Sequence, residues 1–444
     1  MLRIGSGAGF SGDRLEPALL LAQSGKLDYL ILECLAERTI ALAQKRKQKN
    51  EREGYDLLLE KRIELLLPSL HKHNVRLITN MGAANPIEAA KKVVEMAKKL
   101  NIPVKVAAVT GDDVFHSIDL TTPSLETNEP LYSYQKIVSA NAYIGIEGII
   151  SALETDADII VTGRAADPSL FLAPIVHHYG WSLTDYNKLG QGTVIGHLLE
   201  CGGQVAGGYF ADPVKKPVRN LDTLGFPYAE IEKDGRAVIR KLEGTGGEIN
   251  LATVKEQLLY EVLNPYEYVT PDVCADFTSV HLEQVEKDAV LVHGGSGSEK
   301  PKNLKVSVGY HAGFIGEGEI SYGGEHALKR AELAGEVIGR RLNDCFSDLQ
   351  IDYIGCSSLH YSSFNHRNQP YEVRMRVAGR ADTLEKARLI GEEVEALYTN
   401  GPAGGGGARK YAYDVIGIVS SFIPRDKVKL SITVEEHITH EKTI

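Results

Sequence analysis

Five short apolar runs separated by helical patterns constrain this chain more than any other feature. They occupy residues 2–5, 27–32, 75–80, 104–109 and 157–161. Runs of this length and composition are typical of strands that are buried on both faces of a parallel sheet. The alternation of strand and helix therefore predicts an α/β fold with a doubly wound, mostly parallel sheet.

Charge and composition exclude several classes of protein. The 444 residues carry a formal net charge of −10, which argues against binding to nucleic acid or to an anionic membrane surface. No uncharged apolar run reaches the roughly 18 residues that a membrane-spanning helix needs, and the N-terminus lacks the pattern of a signal peptide. The five cysteines are scattered without C-x-x-C spacing, so we expect a reducing, cytoplasmic location and no metal site.

A change of composition divides the chain. The run GGSGSEKP at residues 294–301 is typical of a linker, so we predict an α/β domain over residues 1–297 and a second domain over residues 298–444. In the second domain, pairs of predicted strands flank single helices. This order predicts a smaller α+β domain of the split βαβ, ferredoxin-like type.

Several connecting segments carry expectations of their own. Residues 116–133 form a connection longer than an ordinary loop, so we expect a lid or an excursion over the sheet edge. The pattern at residues 137–153 predicts one helix, and residues 214–243 have an irregular composition that ends in a strand. Two separate strands are predicted at residues 304–311 and 313–322.

The loop after the fifth apolar run carries the strongest candidate chemistry. The sequence TGRAADP at residues 162–168 follows a predicted strand, and open α/β sheets bind ligands where loops leave the carboxyl ends of strands. Arg164 would pair with a substrate carboxylate, while Asp113 or Asp167 would move a proton. For each of these three residues taken alone, a helix cap or a surface ion pair is the alternative, and Asp167 precedes Pro168 as a plausible N-cap.

A glycine-rich turn near the N-terminus allows two interpretations. The sequence GAGFSG at residues 7–12 has G-x-G-x-x-G spacing after a strand, and Glu33 ends the next strand, as in a dinucleotide-binding fold. Asp13 would repel a pyrophosphate there, although Arg14 could offset the repulsion. The other interpretation is an active-site turn whose substrate-binding residues are Gly9, Gly12, Asp13, Arg14 and Glu33.

A second glycine-rich turn, at residues 243–248, lies between a predicted strand and a predicted helix. Exposed backbone N–H groups at the start of a helix favour phosphate or carboxylate, so the turn either binds an anion or only reverses the chain. No Lys-Ser/Thr pair follows, and the turn is therefore not a P-loop. The candidate anion-binding residues are Gly244, Thr245, Gly246 and Gly247.

Cys201 is a candidate catalytic nucleophile. It precedes a glycine pair, and His197 lies four residues earlier on the same predicted helix, where the two side chains could meet. The alternative is an inert, buried cysteine.

Several motifs taken together resemble the acyclic terpene utilisation protein A family. They are TGRAADPSLFLAP, ECGGQVAGGYFADP, EGTGGEIN and NGPAGGGGARK, and the segments GSGAGFSGDR and DYLILECLAERT also fit. The resemblance covers nearly the whole chain. It implies catabolism of terpenes and branched-chain acids through carboxylated acyl-CoA intermediates, with lyase or hydratase steps on 3-hydroxy-3-methylglutaryl-like thioesters. It identifies no catalytic residue.

The resemblance also implies a partner. Many relatives carry an extra C-terminal ferredoxin-like domain, and this chain stops at Ile444 without it. We therefore expect a separate small subunit of that fold and an oligomeric assembly.

Three functional hypotheses result. The first is a cytoplasmic catabolic enzyme that acts on a carboxylated or branched acyl-CoA or carboxylic acid by acid–base chemistry, as a hydro-lyase or a carbon–carbon lyase. Coenzyme A then enters only as part of the substrate, and no other cofactor is implied. The second is an NAD(P)-dependent oxidoreductase that uses the turn at residues 7–12. The third is a non-catalytic subunit that binds an acyl ligand within a two-component complex.

The enzymatic hypothesis requires one arrangement of the chain. The turns at residues 7–14, 111–113, 162–168 and 243–248 have to lie along one edge of a single sheet, because loops at the carboxyl ends of parallel strands share that edge. Turns scattered over opposite faces would leave the reaction without a site.

Overall fold

The predicted alternation of strands and helices builds the centre of the fold. In the computed structural model, which describes residues 1–24, 26–360 and 370–438, five strands pair in parallel. They coincide with the five predicted apolar runs, whose Leu, Ile and Val side chains are buried on both faces. In their spatial order the strands are β1 (Leu2–Ala8), β2 (Tyr29–Leu32), β3 (Arg76–Thr79), β6 (Ile159–Thr162) and β4 (Val104–Thr110).

Helices cover both faces of these parallel strands. Successive strand residues point to opposite faces, so Ile31 belongs to one hydrophobic cluster and Leu30 and Leu32 belong to the other. One face packs against α1 (Glu16–Ser24), α3 (Leu59–His73) and α4 (Pro86–Leu100), and the other against α5 (Ile146–Leu153), α6 (Asp167–Tyr179), α7 (Tyr186–Glu200) and α8 (Leu251–Leu259).

Antiparallel strands extend this sheet at both edges, so the ten-stranded sheet is mixed. The prediction of a mostly parallel sheet holds only for the five central strands. Within the segment described above as irregular, two five-residue strands alternate buried and half-buried side chains, which is typical of antiparallel strands. The added strands are β7 (Pro227–Ile231), β8 (Ala237–Lys241), β12 (Ala289–His293) and β11 (His281–Glu286) beyond β1, and β18 (Ser431–His437) beside β4.

Two predictions of local structure were wrong. The first half of the predicted helix at 137–153 is a strand, β5 (Ile137–Ala142), which packs against α2 (Glu37–Lys49). α5 starts only after Gly145, where the carboxylate of Asp272 accepts a hydrogen bond from the N–H of Ile146 at 2.8 Å. The two strands predicted at 304–311 and 313–322 form a single strand, β14 (Asn303–Gly323), because Gly313 continues it with a φ of +87°.

The glycine-rich run at residues 294–301 contains a strand. β13 (Ser296–Ser298) pairs with β10 (Cys274–Asp276), which also pairs with β9 (Tyr268–Val269). A Cβ atom on Gly190 of α7 would lie only 2.0 Å from the carbonyl oxygen of Ser296. The linker-like composition therefore reflects close packing of this small sheet against α7.

The long connection at residues 116–133 is held by hydrogen bonds to the end of the strand β17 (Gly406–Pro424). Ser420 donates its N–H to the carboxylate of Glu126 and accepts the N–H of Leu125 at 2.8 Å. Ser421 donates to the carbonyl oxygen of Pro123 at 3.1 Å. The segment is an excursion that packs on the protein.

The chain divides into two compact units, Met1–Gly309 with the C-terminal residues from Ile418 onward, and Tyr310–Gly417. In the second unit two helices cover four strands of a five-stranded sheet, with Ile338, Met375 and Val394 in the core; the fifth strand, β5, pairs with β14. The boundaries of these two units differ from the predicted domain boundary. The division into domains of residues 1–297 and 298–444 therefore stays a prediction. The elements after β14 are α9 (Ala327–Leu342), β15 (Gln350–Ile354), β16 (Glu372–Ala381), α10 (Leu384–Asn400) and β17 (Gly406–Pro424), and the sheet order is β15-β16-β14-β17.

Among the residues that the structure describes, no helix is both long enough and apolar enough to cross a bilayer. The most apolar helical faces instead pack on the sheets.

The turn after β1 contacts the residue that follows α7. A Cβ atom on Gly9 would lie 2.3 Å from the backbone carbonyl carbon of Cys201. Gly202, on the other side of the contact, has a φ of +55°. Only a residue without a side chain fits at position 9, so this glycine fixes how closely the loop approaches α7.

We expect Gly9→Ala to destabilise the fold, because the added methyl group forces backbone apart in a packed region. The cost of such overpacking is about 1–3 kcal/mol, measured as a lower midpoint of urea unfolding. Gly406→Ala is the matched control, since a Cβ atom there meets nothing within 4 Å. Equal midpoints for the two variants would contradict this account of Gly9.

Candidate active site

A cleft of about 450 Å³ opens in the first unit, beside the carboxyl ends of the parallel strands. It is lined by residues 166–168 after β6, Glu37 after β2, Tyr143 after β5, and residues 268–271 and 301–305. Loops that leave this edge form the ligand sites of open α/β sheets. Its position and size make the cleft the candidate active site.

Arg164 lies behind the cleft as a buried cation, with only 1% of its surface exposed. Its guanidinium donates to the carbonyl oxygens of Leu35 and Ala165 and to the carboxylate of Asp167. The ring of Tyr143 lies 4.6 Å from the guanidinium carbon. Sequence analysis assigned Arg164 to a substrate carboxylate. Because its donors are engaged by the protein, the geometry instead favours a role in positioning Asp167.

Asp167 presents an accessible carboxylate beside Arg164, with 39% of its side chain exposed. It is the first residue of α6 rather than the predicted cap, which is Ala166, and Pro168 follows in the first turn. Burial raises the pKa of Asp167, and the charge of Arg164 opposes that shift. The result is a more basic carboxylate held in one orientation.

Two neighbouring carboxyl groups have pKa values displaced in opposite directions. Burial, and then the charge of Asp167, raise the pKa of Glu33 to about 8, so Glu33 is protonated at neutral pH. Burial is the largest influence on Glu37 and would raise its pKa, but the hydrogen bond donated by the Tyr143 hydroxyl, a backbone hydrogen bond and the charges of Arg164 and Lys305 together lower the pKa. Adjacent carboxyl groups in different protonation states are what general acid–base chemistry requires.

Asp112, rather than the predicted Asp113, faces this cluster. The carboxylate of Asp112 accepts the backbone N–H of Arg164 at 2.9 Å and the Asn141 amide at 2.9 Å. Burial raises its pKa to about 6. Asp113 is exposed and accepts a hydrogen bond from Gln44 at 2.9 Å. The sequence pattern of two adjacent aspartates did not distinguish the inner residue from the outer one.

The predicted couple of Cys201 and His197 is not formed. Nδ1 of His197 lies 2.8 Å from Oε1 of Glu200. Burial raises the pKa of the Cys201 thiol and lowers the pKa of His197 to about 4, so both groups are neutral at pH 7. These surroundings favour the inert cysteine over the nucleophile.

The carboxylate of Asp13 fills the inside of the N-terminal glycine turn. It accepts the N–H groups of Gly9 and Arg14, each at 2.9 Å, which is where a dinucleotide fold would place a pyrophosphate. Glu33 accepts a hydrogen bond from the Asn80 amide at 2.9 Å and is buried. Both observations weigh against the oxidoreductase hypothesis.

The other predicted members of that turn have packing roles. A Cβ atom on Gly12 would lie 2.7 Å from the ring of Phe10. The Arg14 guanidinium donates to the carbonyl oxygens of Leu221 and Asp222 at 2.8 and 3.0 Å. Neither Gly12 nor Arg14 lines the cleft.

The glycine turn at residues 243–248 has its donors engaged within the protein. The N–H groups of Gly246 and Gly247 donate to carbonyl oxygens at 2.8 and 2.9 Å, and the Thr245 hydroxyl does so at 2.6 Å. Gly244 and Gly247 have φ angles of +80° and +77°, which accounts for glycine at both positions. The geometry therefore favours a chain reversal over the predicted anion site.

All four turns required by the enzymatic hypothesis lie along one edge of the large sheet. β8 points the same way as β1, because each is antiparallel to β7. The turn at residues 162–168 lines the cleft. The turn at residues 111–113 contacts the turn at 162–168, because the carboxylate of Asp112 accepts the backbone N–H of Arg164. The turns at 7–14 and 243–248 lie further along the edge and do not line the cleft.

Sequence reasoning missed several polar residues of the cleft, among them Glu37, Tyr143 and Glu261. The rule that selected the loop after β6 also applies to the loop after β2, and it could have found Glu37. Tyr143 falls in the segment predicted as helix. Glu261 follows α8 with a φ of +57° and no motif around it.

The acidic side chains near Arg164 are arranged around hydrogen bonds. Within residues 1–24, 26–360 and 370–438, no group of three or more His, Cys, Asp or Glu side chains is placed to hold a metal ion. The carboxylates of Asp112 and Asp167 instead bond to groups of Arg164.

The pKa of Glu33 makes stability depend on pH. Because folding raises this pKa from about 4.5 to about 8, the stabilisation is complete below pH 4.5 and is lost as the pH rises to 8. We expect the free energy of unfolding to fall by up to about 1.4 kcal/mol per pH unit in that window. The Glu33→Gln variant keeps an acceptor for the Asn80 amide. In this variant the free energy of unfolding, measured by urea unfolding, should change less with pH than in the wild type. The exposed Glu283→Gln variant is the control, and parallel curves for all three proteins would contradict the assignment.

Comparison with known proteins identifies a family. The family described as "Acyclic terpene utilisation family protein AtuA" matches residues 2–434. No curated protein and no solved structure matches the chain. The match includes the strands, the cleft and every motif on which the resemblance was based. The chain therefore belongs to the acyclic terpene utilisation AtuA family.

Proposed function

We propose that this chain is a catabolic enzyme that transfers a proton to or from the acyl part of a branched carboxylic acid or acyl-CoA, as a lyase or hydratase. The observation that carries the proposal is the pair of carboxylates in one cleft. Asp167 has a raised pKa and Glu37 a lowered pKa. Such a difference separates the group that exchanges a proton from the group that stays ionised. Membership of a terpene utilisation family is compatible with this role.

In this proposal Asp167 is the acid–base residue. Arg164 holds its carboxylate toward the cleft, and the N-terminus of α6 favours the ionised form. The ionised Glu37 binds the Tyr143 hydroxyl, and Lys305 lies 3.6 Å from Glu37. Burial of Glu33 in its protonated form keeps a second negative charge away from Asp167. Arg164, Glu37 and Glu33 therefore together set the charge around the Asp167 carboxylate.

The distribution of charge supports a thioester over a free acid. Asp167, Glu37 and Glu261 line the cleft, and the one buried cation beside them, within the described residues, already binds Asp167. A free carboxylate would meet repulsion there, whereas the acyl end of a thioester is neutral. The exposed Lys302 and Lys305 line the same cleft and could bind the phosphates of coenzyme A.

The predicted assembly remains part of the proposal. The order βαββαβ and the strand order of Tyr310–Gly417 support a ferredoxin-like fold for that unit. A separate small subunit and an oligomer stay predictions. In the alternative role, a non-catalytic subunit would bind the thioester and exchange no proton.

The experiment measures proton exchange directly. Wild-type protein is incubated in D₂O with isovaleryl-CoA, whose acyl end carries no charge, and deuterium in the acyl group is followed by mass spectrometry. We expect exchange by the wild type and a loss of about 100-fold or more in Asp167→Asn, because the acid–base residue is removed.

The matched control is Glu283→Gln, an exposed carboxylate on β11 outside the cleft. It should exchange deuterium at the wild-type rate. Thermal shifts with isovaleryl-CoA, the free acid and NADH separate binding from turnover. Stabilisation by a thioester without exchange would support the binding subunit, and exchange by Asp167→Asn at the wild-type rate would remove Asp167 from the mechanism.

A further inference from the structure

Tyr268 is a cleft residue to which no role has yet been assigned. It lies on the short strand β9, and the cleft is lined by Tyr268 together with Asp167 and Glu261. Apart from Tyr143, whose hydroxyl is bonded to Glu37, it is the one phenol among the lining residues. Its position gives the cleft a hydroxyl group near the proposed acid–base residue.

Aromatic packing holds the ring of Tyr268 in place. Its centroid lies 5.3 Å from that of His197 and 5.0 Å from that of Phe277. His197 is itself fixed, since Nδ1 bonds to Glu200 and the carbonyl oxygen accepts from the Gln257 amide at 3.0 Å. A ring held on two sides keeps its hydroxyl in one place, which a hydrogen-bond donor to a reacting group requires.

The Tyr268 hydroxyl makes no hydrogen bond to any residue that the structure describes, whereas the hydroxyls of Tyr143 and Tyr179 are both bonded. Tyr268 is half-buried, and its hydroxyl is not among the buried polar atoms that lack a partner, so the hydroxyl is reached from the cleft and is available for a ligand there. Burial, and then the charges of Glu200 and Asp167, raise the pKa of Tyr268. The phenol therefore keeps its proton at neutral pH and acts as a donor.

We propose that Tyr268 is a catalytic residue whose hydroxyl binds the carbonyl oxygen of the substrate while Asp167 removes a proton from the neighbouring carbon. The C–H bond breaks, the proton goes to the Asp167 carboxylate, and the electron pair moves to the carbonyl oxygen to give an enolate. The enolate oxygen accepts the hydrogen bond from Tyr268. Return of the proton to carbon reverses the step. This inference rests on the proposed function.

His197 and Glu200 act on this step through Tyr268 and are positioning residues. The buried Glu200 has one carboxyl oxygen on His197 and no partner for the other among the described residues. Burial lowers the pKa of His197 to about 4 and raises the pKa of Glu200 well above its usual range, so burial disfavours a charge on either group behind the ring. A charged pair there would favour loss of the phenol proton or repel the enolate.

The test is Tyr268→Phe, which removes the hydroxyl and keeps the ring packing. Deuterium exchange into isovaleryl-CoA should fall by about 100-fold to 1000-fold, the effect of losing one oxyanion donor, with KM within about threefold of the wild type. Tyr266→Phe is the matched control, since this tyrosine lies two residues earlier, is 73% exposed and does not line the cleft. It should behave as the wild type.

A second measurement does not depend on turnover. Acetoacetyl-CoA forms an enolate with its own ultraviolet absorption, and the wild type should increase that absorption more than Tyr268→Phe does, by about tenfold or more. The role of Tyr268 would be overturned if Tyr268→Phe gave the same enolate absorption as the wild type and exchanged deuterium at a rate within threefold of the wild type. If Asp167→Asn then still abolishes exchange, the proposed function stands. Absence of exchange and of enolate formation by the wild type would overturn both proposals.

Discussion

The site depends on the burial of one positive charge. Arg164 leaves β6 at the edge of the sheet and is almost fully enclosed, and a buried guanidinium is tolerated only when its donors are paired. Leu35 after β2, Ala165 after β6 and the carboxylate of Asp167 supply the partners. The same bonds that satisfy the arginine therefore join two loops of the sheet edge and orient the carboxylate that lines the cleft.

This constraint also explains the protonation states around the cleft. One cation cannot neutralise every acidic side chain near it, so the fully buried Glu33 has a raised pKa and stays protonated, while Glu37 is stabilised by the Tyr143 hydroxyl. Asp112 binds the backbone of Arg164 rather than its side chain. The chemistry that we propose needs this division of charge, because identical carboxylates would not separate an acid from a base.

Much of the fold could be predicted, because hydrophobic periodicity is a local property. The parallel strands lie on the five apolar runs, and Arg164 and Asp167 lie in the loop selected from the sequence. The glycine motifs were harder to interpret. Gly9 and Gly190 permit close backbone contacts, and the N–H groups of Gly246 and Gly247 are paired with carbonyl oxygens. A glycine that allows packing and a glycine that exposes a donor to a ligand have the same sequence signature.

By itself the sequence determined the five parallel strands, the family resemblance and the edge of the sheet at which the site would lie, because these depend on short patterns along the chain. Only the tertiary structure decided which side chains share the cleft. Tyr143 and Tyr268 come from segments 125 residues apart with no common motif, and Asp112 rather than Asp113 turns inward. The physical reason is that burial and hydrogen-bond partners, which set both the direction of a side chain and its charge, are supplied by residues distant in the chain.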